Sequence, residues 1–196
     1  MADDETLAFY AANAARYVQD GSDRPNPHLT TFLDSLPQGA RILELGSGSG
    51  RDAAIMLAKG FDVDATDASP ELAAQAATRL GRAVAILRFN QLDARVAYDA
   101  VWASASLLHA PASELAEDLR KIHTALRPGG LLTASFKAGN GEGRDRLGRY
   151  YNYPDRNALM GYFQAAANWR ALSLEAHQGT GYDRQPTEWL WVIARK

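Results

Sequence analysis

Three glycines at alternate positions, Gly46, Gly48 and Gly50, follow an apolar segment, Ile42, Leu43 and Leu45, with Glu44 two residues before the first. Glycine reaches positive φ and lets a ligand come close to the backbone. Residues 51–59 read as a helix whose first amides are free for the polar groups of a ligand. Strand, glycine turn and helix in that order are how an α/β domain grips a nucleotide-like molecule. Asp67 ends the next apolar stretch, about 20 residues beyond the turn, where a carboxylate that accepts from both hydroxyls of a ribose belongs. Its other reading is as a helix N-cap ahead of Pro70, and the two roles are compatible. Asp64, inside the same stretch, suits solvent or a charged partner.

The glycine spacing narrows the ligand. A dinucleotide fold uses G-x-G-x-x-G; here Arg51 stands where the third glycine would fall, which weighs against a nicotinamide oxidoreductase. The set E-x-G-x-G-x-G, Glu44 to Gly50, resembles the first motif of class I S-adenosylmethionine-dependent methyltransferases. The run around Gly50, Arg51 and Asp52 and the turn Leu126 to Gly130 particularly resemble small bacterial members of the tellurite- and thiopurine-modifying kind.

That resemblance implies a set of residues. Glu44, Gly46, Ser47, Gly48, Gly50 and Arg51 would lie along the methionine and ribose parts of S-adenosylmethionine, which leaves as S-adenosylhomocysteine. Asp67, with Ala68 beside it, would hold the ribose. Leu92 and Asp93 would serve the adenine, and Ala103 and Ser104 would lie under the sulfonium. His109, just beyond the fourth strand, is the candidate base, or else it packs against the following helix. Tyr10, Tyr17, Tyr150 and Tyr151 are candidate walls over the site, where aromatic rings favour a sulfonium; ordinary packing is their alternative. Crowded Arg144, Arg146 and Arg149 either attract an anionic acceptor or form a solvated surface. No Asn/Asp-Pro-Pro-Tyr/Phe sequence is present, which disfavours amino groups of DNA bases or glutamine as acceptors.

The elements that must position these residues alternate. Helices are expected over 6–19 and 28–36, with a turn-rich break at 21–27. Strands follow at 41–46, 61–66, 84–88, 98–104 and 131–137, with helices at 51–59, 70–79 and 112–126. The last of these has Ser113 as a capping candidate and ends at Pro128. Alternation of this kind implies a parallel sheet. Residues 139–154, rich in glycine, arginine and tyrosine, are too long for a simple connection and read as a lid. A helix at 155–167 and strands at 169–176 and 188–194 close the chain. The resemblance implies a three-layer, Rossmann-like α/β fold: a seven-stranded, mostly parallel sheet with an antiparallel seventh strand. An N-terminal helical cover, 1–37, would lie over one globular unit, 38–196.

At 196 residues, with 46% hydrophobic and 22% charged residues, the chain suits one domain with a sizeable core. A net charge of −2 gives no reason to expect nucleic-acid binding. Cysteine is absent, which excludes disulfides and thiolate metal sites. His28, His123 and His177 have no constellation around them in the sequence, and no His/Asp/Glu spacing points to a metal site. The acidic start lacks an apolar signal core, and no run approaches the length of a membrane span. A soluble, cytoplasmic protein acting on a small molecule is the expectation. The alternative is a noncatalytic module that senses S-adenosylmethionine or scaffolds a partner.

Overall fold

The computed structural model describes residues 3–20 and 26–196. The break expected at 21–27 lies, up to residue 25, outside them. The first half holds α1 (Asp4–Asp20), α2 (Pro27–Asp34), β1 (Arg41–Leu45), α3 (Arg51–Ala58), β2 (Asp62–Asp67), α4 (Pro70–Leu80), β3 (Ala85–Ile86) and β4 (Tyr98–Ala103). The second holds α5 (Ala112–Ala125), β5 (Leu126–Lys137), β6 (Gly141–Arg144), β7 (Tyr150–Tyr153), α6 (Arg156–Ala166), β8 (Ala171–Thr180) and β9 (Pro186–Arg195).

Seven strands form one sheet in the order β3-β2-β1-β4-β5-β9-β8. The first five are parallel; β9 runs antiparallel between β5 and β8. Alternating side chains send each strand into two cores. On one face Ile42, Val63, Trp102 and Trp191 pack with Leu29, Phe32 and Leu33 of α2 and Met56 of α3. On the other, Leu43, Val101, Phe136 and Val192 meet Leu115, Leu119 and Ile122 of α5 and Leu159 and Phe163 of α6. Burial on both faces is why the central strands read as apolar runs. Among the described residues no helix is long and apolar enough to cross a membrane.

Three elements differ from the sequence reading. The long connection over 139–154 contains the antiparallel ribbon β6–β7. Its tip is organised by Asp145, which accepts from the amides of Leu147 and Arg149 at 3.0 Å each. Helix α5 starts after Pro111 without a side-chain cap, so Ser113 lies inside its first turn. The turn Pro128–Gly130 is absorbed into β5, whose pairing with β4 shifts register between Tyr98 and Ala100.

Candidate active site

The glycine turn is shaped by strand pairing and by close contacts. The amides of Gly46 and Ser47 both donate to the Thr66 carbonyl, at 2.9 and 2.8 Å, tying the turn to β2. Gly46, Gly48 and Gly50 have φ of 80°, 53° and 72°. A Cβ on Gly46 would sit 2.5 Å from Cβ of Ser106, so no side chain fits there. One on Gly48 would face the Tyr17 ring of α1, at 3.4 Å. One on Gly50 would press on Ala76 of α4 at 3.1 Å, so this third glycine serves the packing of α3 against α4.

Two acids flank the turn. Asp67, the last residue of β2, is 7% exposed. Its Oδ2 accepts from the Gly48 amide at 2.8 Å and its Oδ1 from the Ser69 amide at 2.9 Å. Burial raises its pKa, and these amide bonds oppose the rise. The cap of α4 is Ser69, whose hydroxyl accepts from Leu72 N; Asp67 is therefore not spent on capping. Glu44 is buried, and burial, then the negative neighbours Asp52 and Asp67, push its pKa well up. Its Oε2 has no partner, nor do the hydroxyls of Ser47 and Ser106. Buried polar atoms are rarely left so. Three around one glycine turn fit a ligand carrying an ammonium group and several acceptors. Arg51 pairs with Asp52 at 2.7 Å, and Asp52 also accepts from the Trp102 indole at 3.0 Å.

At the end of β4, Ala103 is wholly buried in the core, so only its backbone is available. Ala105 adopts φ +52°, a conformation costing a non-glycine residue about 1–3 kcal/mol and concentrated at functional sites. Its amide donates to the Ser135 hydroxyl at 2.8 Å, which holds it there. Beyond it, His109 is 6% exposed. Its Nδ1 lies 2.6 Å from the Tyr150 carbonyl; a carbonyl only accepts, so Nδ1 carries the hydrogen and Nε2 is the basic nitrogen. The Tyr10 hydroxyl donates to Nε2 at 3.0 Å and accepts from Arg149 at 3.1 Å. Burial lowers the His109 pKa to about 4, so the ring is neutral. Arg149, itself buried, is held by Asp145 at 2.6 Å. The Tyr150 amide donates to the Thr6 hydroxyl at 2.8 Å. Ribbon, His109 and α1 thus form one hydrogen-bonded unit.

Two cavities meet here. A small one, about 80 Å³, lies under α1 and is lined by Tyr10, Tyr17, Gly46, Gly48, Asp67, Ala68, Phe89 and His109. A cleft of about 850 Å³ opens on the α2 side, lined by Arg51, Thr133, Ser135, Trp189 and Trp191 among others. Ser104 and Ala105 line both.

Gly46, Gly48, Asp67, Ala68, Ser104, His109, Tyr10 and Tyr17 therefore line one cavity together. Leu92 and Asp93 do not join them: Leu92 belongs to the core and Asp93 is exposed. The nearby aromatic in the cavity wall is Phe89, which sequence reasoning missed; an aromatic immediately after the third strand was its available signal. Tyr151 is buried with its ring 4.6 Å from that of His109. Tyr150 contributes its carbonyl, while its hydroxyl donates to Glu142. Arg144 pairs with Asp3, just before α1, and with Glu5 in its first turn, and Arg146 donates to the Asp183 carbonyl. The reading of His28 and His177 as isolated is corrected: the fold brings both together with Glu175. They come from α2 and β8, and no sequence spacing records that approach.

Residues 43–132, from β1 into β5, match the family model of a methyltransferase domain. No curated protein matches the chain. Among solved structures, a 1,6-didemethyltoxoflavin N1-methyltransferase from Burkholderia thailandensis, bound to 1,6-didemethyltoxoflavin and S-adenosylhomocysteine, superposes with a TM-score of 0.74. It is 24% identical, over 98% of this chain and 85% of that one. The N-methyltransferase NodS of Bradyrhizobium japonicum, in complex with S-adenosylhomocysteine, is 18% identical, with a TM-score of 0.65 over 95% and 97% of the two chains. The [4+2]-cyclase SpnF is also similar, with 19% identity and a TM-score of 0.66 over 97% and 93%. The fold is that of class I methyltransferases.

Proposed function

We propose that this chain, whose residues 43–132 match the family model of a methyltransferase domain, transfers a methyl group from S-adenosylmethionine to a small molecule. The observation that carries the reading is the shared wall at Ser104 and Ala105. A donor laid along the glycine turn, with its ribose on Asp67, ends at that wall. An acceptor entering the larger cleft reaches it from the other side.

The bound cofactor would supply a methyl group already activated on a sulfonium. The chain's residues have the tasks of alignment and of water exclusion. Asp67 presents acceptor oxygens to the ribose. Glu44, with one oxygen unpartnered, suits the ammonium end, and Phe89 offers a face to the base. Tyr10 and Tyr17 close the top. The neutral Nε2 of His109 takes a proton where the acceptor has one to lose, once Tyr10 gives up its hydrogen bond. Pockets that bury ligands of this size hold roughly 300–1,000 Å³, against about 80 Å³ under α1. On this reading α1 covers the bound cofactor and moves to admit it.

Calorimetric titration with S-adenosylhomocysteine, followed by a mass screen of small molecules for gain of one methyl, tests the reading. Absence of binding would end it.

A second reading is a module that binds the cofactor without turnover. Fold does not fix reaction, and the glycine turn and Asp67 would serve cofactor binding equally well without transfer. Methyl turnover with any acceptor discards it.

A further inference from the structure

We propose that His28, Glu175 and His177 form a binding site for one divalent transition-metal ion of the zinc class, set in the outer wall of the larger cleft. The proposal goes beyond methyl transfer and does not depend on it.

Glu175 and His177 are two residues apart on β8, so both project to the same face of the sheet. On β9 they stand opposite Trp191 and Trp189. His28, the second residue of α2, lies flat on the Trp191 indole, with ring centroids 4.0 Å apart and an interplanar angle of 14°. That stacking turns the imidazole toward His177, whose ring centroid is 4.7 Å away. One donor atom from each of the three side chains lies within 4.8 Å of the others. His177 Nε2 and Glu175 Oε2 are already 3.4 Å apart. Metal–ligand bonds of about 2.0–2.2 Å place tetrahedral donors roughly 3.4 Å from one another. The β8 pair has that spacing, and rotamer changes in half-exposed side chains bring in the third.

The donor set selects the ion. Two imidazoles and a carboxylate suit zinc, cobalt or nickel, whereas calcium and magnesium take oxygen ligands. The chain has no cysteine to offer a competing thiolate site. Three protein ligands leave a coordination position for water or a further ligand. All three line the cleft that Ser104 and Ala105 also line, so that position opens toward the proposed acceptor space. The ion would also fasten α2 to the edge strand of the sheet.

The test uses the tag-free full chain after chelator treatment, titrated with Zn²⁺ by calorimetry and with Co²⁺ by visible absorption. The expected result is one equivalent bound, with cobalt bands of a nitrogen- and oxygen-ligated site and a raised melting temperature. His28→Ala, His177→Ala and Glu175→Gln should each weaken binding by at least about tenfold, the scale of even outer-shell losses at metal sites. The gentler His177→Gln serves if the alanine variant unfolds. Absence of saturable binding, or binding unchanged in the folded variants, overturns the site. S-adenosylhomocysteine titrated in parallel separates the two readings: metal binding without it would refute only the methyltransferase.

Discussion

The hydroxyl of Tyr10, on the first helix, donates to Nε2 of His109, 99 residues later, at 3.0 Å. The bond sets the one basic nitrogen of that imidazole against α1, in the wall of the small cavity.

If proton removal limits the reaction, His109→Ala should lower kcat by about 100-fold or more, the usual worth of a positioned base. Affinity for S-adenosylhomocysteine should stay within a factor of a few. Tyr10→Phe keeps the base and removes only its partner, so it should retain much more activity. Single-turnover rates for both variants check this, and an unaltered rate in His109→Ala removes the histidine from the mechanism.

Acid should destabilise the protein partly through the same residue. In the unfolded chain His109 takes up a proton near pH 6.5, whereas burial delays this to about 4 in the folded state. The unfolded state therefore binds more protons between those values, and stability falls as pH drops through the window. The loss is roughly 3 kcal/mol by its lower end, at about 1.4 kcal/mol per unit; above pH 6.5 there is none. Urea unfolding of His109→Gln at pH 7, 5.5 and 4.5 should show a shallower decline than the parent. Parallel declines would show that the folded ring is not held neutral.

Asp67→Ala should weaken cofactor binding by about 10- to 100-fold, since hydrogen bonds to a charged acceptor are worth about 1.5–3 kcal/mol. The Gly48 and Ser69 amides would also lose their acceptor, so a modest fall in melting temperature is expected. Unchanged affinity by calorimetry contradicts the ribose role.

Gly46 and Gly48 should fail differently. Gly46→Ala forces a Cβ into Ser106 and should cost stability, by about 1–3 kcal/mol, before any ligand is added. The Cβ of Gly48→Val meets only Tyr17, at 3.4 Å, at a positive φ. It should fold with a smaller loss and bind S-adenosylhomocysteine poorly. Normal binding by the valine variant would falsify the placement of the cofactor on this turn.

Much of this site was legible in the chain because its signals are local. Gly46 and Gly48 announce a turn of positive φ, and Asp67 announces itself by standing at a strand end ahead of Ser69 and Pro70. The buried strands show as apolar runs because helices cover both faces. Leu92 and Asp93 lie away from the small cavity: after the short helical turn Phe89–Gln91, Leu92 is in the core and Asp93 is exposed, while Phe89 lines the cavity. The ribbon β6–β7 was hidden by its glycines and polar residues, which carry no period of two.

The amino-acid sequence by itself determined the alternating α/β order, the glycine turn and the acid at the end of β2, since each follows from the φ preferences and burial of consecutive residues. Only the tertiary structure decided that Tyr10 meets His109, that Ser104 and Ala105 divide two cavities, and that His28 stands beside Glu175 and His177. Those approaches depend on how α1 and α2 settle against distant strands. Packing between elements sets that geometry, and no spacing along the chain encodes it.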